Sequence, residues 1–173
     1  MANLTVKDST LRFLMDVEGF IEVAKWDYKQ WSIGYGTGIM PNGRPVKQGD
    51  RVTKAEAYQM LIRDAPSRGA SVNQYVTSNS NQNQFDALVS FVYNFGAGAL
   101  AGSTLLKRIN ENPMNYDAIA SEFRRWINAG GAPNDGLKNR REKEIRLYQS
   151  GAVAPSNIIW LVLIAVFLFF LKK

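Results

Sequence analysis

Glu18-Gly-Phe-Ile-Glu-Val-Ala-Lys-Trp-Asp27-Tyr-Lys-Gln-Trp-Ser32-Ile-Gly-Tyr-Gly-Thr37 is the stretch around which the rest of the chain is organised. Two carboxylates stand nine positions apart, followed by a hydroxyl and a short segment broken by glycines. Upstream, Leu11, Leu14, Met15 and Glu18 fall on one helical face, with Ser9 or Asp8 placed to cap its start and Arg12 and Asp16 spaced as an ion pair. Gly19 offers a stop, so Glu18 belongs to the last turn, near the negative end of the helix dipole. An anion is disfavoured there, and a carboxyl that keeps its proton is what a general acid requires. A solvated helix-end carboxylate would share the same sequence.

From Phe20 to Tyr35 the periodicity changes. Ile21 and Val23, then Trp31 and Ile33, alternate with polar residues as in strands. A turn at Lys29-Gln30 predicts a hairpin that sets Asp27 across from Ser32. Gly34, Gly36 and Gly38 permit close backbone approach, and 40–45 reads as a loop.

Composition narrows the chemistry. The 173 residues are enough for one domain with a real core, and 46% hydrophobic with 21% charged is ordinary for such a domain. Cysteine and histidine are both absent. That removes disulfides, thiolate metal sites, the usual zinc sites and His-dependent nucleophilic catalysis. Acid–base work falls to carboxylates, Lys or Tyr, and no metal or other cofactor is expected. The net charge of +6 suits nucleic acid, anionic lipid or an anionic cell wall. No basic block with interleaved aromatics is present, so nucleic acid is not expected as a partner. The mixed, polar residues 1–8 predict no cleavable signal peptide.

Helices follow. Thr53 and Glu56 form a capping box for a helix from about Lys54, which Pro66 bends or ends near Ala65, with helical character resuming through Val72 and Val76. After a polar break at 77–84, Phe85, Leu88, Val89, Val92 and Phe95 make an apolar helix face ended by Gly96. Residues 98–102 read as a turn, and Ser103 caps a short helix that Asn112-Pro113 breaks. Ile119, Phe123, Trp126 and Ile127 mark the next helix, ended by Gly130-Gly131. The last spans Leu137 to Gln149, with Arg141 and Ile145 on one side and Glu142 paired with Arg146.

Taken together, these residues resemble the phage-type lysozymes, glycoside hydrolase family 24. The first half carries Glu18-Gly, an Asp nine residues on, and Ser32-Ile-Gly-Tyr-Gly36. The second half agrees independently through Gln84 to Phe91, Asn94-Phe-Gly96, Ser103 to Leu106, Phe123-Arg-Arg-Trp126, the glycines at 130 and 131, Arg140-Arg141 and Glu144. The resemblance covers roughly residues 10 to 150. It implies an α+β, lysozyme-like fold with a small β-hairpin lobe and a mostly helical lobe around a cleft. It also implies a muramidase that hydrolyses the β-1,4 bond between N-acetylmuramic acid and N-acetylglucosamine in bacterial peptidoglycan, with inversion. Glu18 matches the general acid and Asp27 the carboxylate that works with a water. Ser32 matches a position that is usually Thr, whose hydroxyl helps hold that water. Thr37 stands where many relatives have His and is assigned no chemistry. Tyr35, Asn94, Phe95 and the loop 130–136 are candidates to line the cleft. Two carboxyl groups flanking a glycosidic bond suffice for this chemistry, and their separation decides between inversion and retention.

After Gly151 the composition shifts. Ile158 to Leu171 are fourteen apolar residues, Trp160 among them, closed by Lys172-Lys173. As a helix they would span about 21 Å at 1.5 Å per residue, short of the roughly 30 Å hydrocarbon core. Terminal lysines can snorkel, however, and a helix apolar on every side is hard for a small domain to cover. The expected organisation is a lysozyme-type domain over 1–151 and a C-terminal hydrophobic helix over 152–173. That helix would anchor the protein to a lipid bilayer, in a phage particle's internal membrane or the host inner membrane. A membrane-anchored, non-catalytic wall-binding module and a lytic transglycosylase are the alternatives.

Overall fold

The computed structural model describes residues 3–27 and 30–150. Its first helix, α1 (Asp8–Glu18), ends as the sequence predicts: Gly19 adopts φ 68° and its N–H donates to the Met15 carbonyl at 3.1 Å. Its start differs. The N-cap is Lys7, whose N–H donates to Thr10 Oγ1. Ser9 and Thr10 instead turn their hydroxyls to Asp86, at 2.7 and 2.6 Å, tying α1 to the middle of the chain.

Strands β1 (Ile21–Asp27) and β2 (Gln30–Gly34) form the expected antiparallel hairpin. Its register pairs Asp27 with Gln30, Trp26 with Trp31 and Lys25 with Ser32. Asp27 is therefore not across from Ser32, because Gln30 belongs to the second strand rather than to the turn. The two still share a face of the ribbon, as diagonal neighbours with the Trp26–Trp31 pair between them. The segment to 52 folds back along the outside of β1, with Ala24 donating to the Asp50 carbonyl and Val52 to that of Glu22.

Helix α2 (Lys54–Tyr75) starts on the predicted capping box. The Thr53 N–H donates to Glu56 Oε2 at 2.8 Å, and the Glu56 N–H to Thr53 Oγ1 at 3.2 Å. It runs 22 residues straight through Pro66. Proline removes one ladder bond, but both halves of α2 bury residues in the same core, Ala57 and Leu61 before it and Gly69 and Val72 after it. At Gly69 a Cβ would stand 3.0 Å from Phe85, so the missing side chain lets α2 lie close against its neighbour.

That neighbour, α3 (Gln82–Phe95), is the axis of the helical lobe. Residues 84–92 are buried without interruption, so α3 is covered on every side rather than on the single face its apolar residues mark. Its buried polar side chains are satisfied: Asp86 by Ser9, Thr10 and Gln82, Ser90 by Glu144, and Gln84 by the Pro113 carbonyl. Residues read as a turn form the short helix α4 (Ala97–Ala101), and Ser103 caps α5 (Thr104–Glu111) through the Leu106 N–H.

Helix α6 (Tyr116–Arg124) stops earlier than its apolar spacing suggests. Trp126 turns into an aromatic cluster, 5.0 Å from the ring centres of both Phe91 and Phe95. Two-residue strands β3 (Asn128–Ala129) and β4 (Ala132–Pro133) follow, joined through Gly130 and Gly131 at φ 60° and 84°. Helix α7 (Asp135–Ser150) packs along α3. Its Glu142 pairs with Arg124 rather than with Arg146, and Asp16 with Lys143 rather than with Arg12. The result is an α+β molecule with a small hairpin lobe and a mostly helical body. Among the described residues no helix is long and apolar enough to cross a membrane. The hydrophobic helix expected over 152–173, with Ile158, Trp160, Leu171, Lys172 and Lys173, lies outside the described residues.

Candidate active site

Glu18 closes α1 with its side chain only 17% exposed. Its two oxygens have different surroundings. Oε1 accepts a 2.6 Å hydrogen bond from an Arg140 amino group. Oε2 lies against Gly36, where a Cβ would come within 3.0 Å of it. Gly36 also adopts φ 84°, so the sequence Gly34-Tyr-Gly36 supplies both the backbone conformation and the room for the carboxyl. Tyr93 stands beside the same spot and donates its hydroxyl to the Tyr35 carbonyl at 2.9 Å. Burial pushes the Tyr93 hydroxyl well above its ordinary range, and the Glu18 and Asp64 carboxylates push it the same way, so it stays a donor.

Arg140 is fixed by several partners. It donates to Glu144 Oε1 at 3.2 Å and to the carbonyl and hydroxyl of Ser90 at 3.0 and 3.1 Å. Glu144, with no exposed surface, also accepts from Ser90 Oγ at 2.6 Å and from Arg141 at 2.8 Å. A further contact, Arg141 Nε to Glu144 Oε2 at 2.7 Å, is close enough for an ion pair but lacks hydrogen-bond alignment. Two guanidinium groups thus face two carboxylates inside the protein. Burial pushes the Arg141 guanidinium below its usual value, against the opposing pull of Glu144. Arg141 also donates to Asn94 Oδ1 at 3.2 Å and lies 4.9 Å from the Phe95 ring centre.

Asp27, at the exposed end of β1, lines a groove of about 700 Å³. Gln30 shares its side; Asn94 and Phe95 from the end of α3, Asn128 to Gly130, Asn134 and Leu137 make the rest. The loop whose glycines suggested a ligand-facing segment is therefore on the groove wall, as are Asn94 and Phe95. Glu18 is not among the residues that line this groove; its neighbours are Arg140, Gly36 and Tyr93. Ser32 is 4% exposed, and its Oγ has no hydrogen-bond partner among the described residues. Tyr35 is placed differently from its candidate role: in the turn just after β2 it is 6% exposed and packs against Phe20. Thr37 donates to Asp64 at 2.7 Å, joining the hairpin lobe to α2. Among the described residues no cluster of carboxylates could hold a metal ion.

Sequence reasoning assigned no task to Arg140 and Arg141. A signal was present: Arg141 shares a helix side with Ile145, an apolar face on which an arginine needs a buried partner.

An α+β fold with a carboxylate at the end of the first helix, a second on a hairpin and a groove between lobes defines a lysozyme-like class. Residues 15–144 match the family model described as phage lysozyme. The endolysin of Bacillus phage PZA is 40% identical over 130 residues, 75% of this chain and 47% of that protein. The endolysin from Escherichia coli O157:H7 phage FAHEc1 superposes with a TM-score of 0.77 at 34% identity, covering 90% of this chain and 99% of that one. The muramidase domain of SpmX from Asticaccaulis excentricus gives 0.72 at 29% identity, covering 87% and 98%. This chain belongs to the phage lysozyme family, a family of glycoside hydrolases. It spans about half the length of the curated Bacillus phage relatives it matches.

Proposed function

We propose that the protein is a muramidase that hydrolyses the β-1,4 bond between N-acetylmuramic acid and N-acetylglucosamine in peptidoglycan. The carrying observation is the division of labour between two carboxylates. Asp27 faces a groove with room for a sugar chain, while Glu18 has one oxygen tied to Arg140 and the other beside a glycine that keeps it clear. Glu18 gives its proton to the glycosidic oxygen as the C1–O4 bond breaks. Asp27 takes a proton from the water whose oxygen bonds to C1 on the opposite face. The unpartnered, buried Ser32 hydroxyl, on the same ribbon face as Asp27, supports its role in holding that water. The family match and the resemblance to a solved muramidase domain support the substrate. Inversion follows from attack by water rather than by Asp27.

Mass spectrometry of digested peptidoglycan tests this reading. Reducing N-acetylmuramic acid ends, lost in Glu18→Gln and Asp27→Asn, are expected, and proton NMR of the fresh digest should show them first in the inverted configuration. Anhydro ends that persist in Asp27→Asn mean a transglycosylase, and binding without cleavage means a wall-binding module.

We further infer that the chain is membrane-tethered and acts at phage penetration or at host lysis. The support is the fourteen-residue apolar run 158–171 and its two terminal lysines. Full-length protein should sediment with membranes while a chain ending at Gly151 stays in the supernatant; equal solubility of the two overturns the tether.

A further inference from the structure

We propose that Tyr93 is a positioning residue for the acid: its hydroxyl holds the Tyr35 carbonyl and thereby fixes Gly36 as the floor against Glu18 Oε2. The inference rests on the muramidase reading in taking Glu18 as the proton donor.

The turn that follows β2 is closed by Ile33 and Thr37, which exchange backbone hydrogen bonds at 2.9 and 3.1 Å. Those bonds set the ends of the turn but not the tilt of the peptide plane at its apex. There the Tyr35 carbonyl accepts from the Tyr93 hydroxyl at 2.9 Å, across 58 positions of sequence. A peptide unit is planar, so a grip on its oxygen also holds the nitrogen and Cα of the next residue. That residue is Gly36, at φ 84°. With no side chain to hinder rotation, its conformation needs a fixed point from outside. A Cβ there would stand 3.0 Å from Glu18 Oε2 and 3.7 Å from Tyr93 Cε1, so the Gly36 Cα faces the carboxyl and the tyrosine ring together.

A phenol has one proton to donate, and the one given to Tyr35 is not available to Glu18. Tyr93 therefore acts through Gly36 rather than on the carboxyl. Burial first, then the Glu18 and Asp64 carboxylates, keep that proton on the phenol oxygen. From α2, the Arg68 guanidinium lies 5.7 Å from the Tyr93 ring centre and braces it. The two oxygens of the acid are thus placed by different elements: Arg140 of α7 ties Oε1, and Tyr93 of α3 sets the surface against which Oε2 rests.

Tyr93→Phe keeps the ring and removes the hydroxyl. Thr53→Ala, which loses a side-chain hydrogen bond in the cap of α2, serves as the control for a general loss of stability. Both are measured in the full chain with soluble peptidoglycan fragments as substrate. In Tyr93→Phe, kcat should fall by roughly threefold to tenfold, the factor one neutral hydrogen bond supplies. KM should stay at its wild-type value, because Tyr93 is not among the residues that line the groove beside Asp27. Thr53→Ala should keep both constants. In proton–nitrogen NMR spectra the Gly36 amide, which shares its peptide plane with the Tyr35 carbonyl, should be displaced in Tyr93→Phe and unmoved in Thr53→Ala. A wild-type kcat in Tyr93→Phe overturns the proposal, as does an unmoved Gly36 resonance or an equal loss of kcat in Thr53→Ala. A raised KM with kcat unchanged overturns it too, since Tyr93 would then be touching the sugar. A displaced Gly36 resonance beside a wild type that never cleaves the wall keeps the Tyr93–Gly36 link and overturns the muramidase reading instead.

Discussion

Glu18 carries an asymmetry that a sequence cannot express: one oxygen is clamped by Arg140 and the other is kept free by the absence of a side chain at residue 36. Gly36→Ala should therefore fail in two ways. A residue with a Cβ at φ 84° costs about 1–2 kcal/mol, and that Cβ displaces Oε2. Melting temperature and wall-clearing rate should both fall; a rate unchanged beside a lowered melting temperature means that Oε2 is not the working oxygen. Ser32 gives the opposite pattern. Its buried hydroxyl finds no partner among the described residues, so Ser32→Ala removes a polar group whose burial is uncompensated. Stability should hold or rise by about 1 kcal/mol while turnover falls. A drop in stability without loss of turnover would show that the hydroxyl is structural.

Local rules chose most element boundaries, and long-range packing overruled them where they failed. The capping box at Thr53 and the glycine stops after Glu18 and Phe95 involve residues a few positions apart, which is why the sequence displays them. Thr53→Ala should lower stability by about 1 kcal/mol, measured by denaturant unfolding. Pro66 and Trp126 are the counterexamples. The former sits inside a helix because both halves of α2 bury residues in the core, Ala57 against the hairpin at Gly34 and Gly69 against Phe85, and the latter leaves its helix to join Phe91 and Phe95.

The loop behind the hairpin holds a bidentate pair, Arg44 to both oxygens of Asp50 at 2.8 Å, with the Lys47 N–H adding a third bond at 2.7 Å. The Arg44 bonds chiefly, then the Lys47 N–H, hold the Asp50 carboxyl down at about 2 instead of 3.8. A carboxylate lowered on folding stabilises the protein above its unfolded value, and that contribution disappears as the pH falls through its folded value. Asp50→Asn should thus be less stable than wild type near neutrality. The gap should close between about pH 4 and pH 2; a gap independent of pH in a titration of melting temperature contradicts the assignment.

At the scale of the molecule, the Glu18–Arg140–Glu144–Arg141 chain connects the acid to the groove wall through the middle of the helical lobe. Its members come from α1 and α7, and Ser90 of α3 holds the junction. Breaking such a buried array at one point leaves charges unpaired. Glu144→Gln should cost about 3–5 kcal/mol and should slow turnover as well, because Arg140 loses one of its anchors. Calorimetric melts and wall-clearing assays read the two effects separately, and a wild-type melting temperature would remove Glu144 from this account.

The sequence alone determined the class of fold and the pair of carboxylates worth watching, since helix periods, caps, alternation and the motif spacing are local and additive along the chain. Tertiary structure alone decided that Asp27 faces Gln30, that Tyr35 belongs to the core, and that a buried arginine from the last helix grips Glu18. Register depends on which residue closes the hairpin. The grip joins residues 122 positions apart, and only three-dimensional packing, which brings α7 against α1 and α3 and excludes water from their charges, can select it.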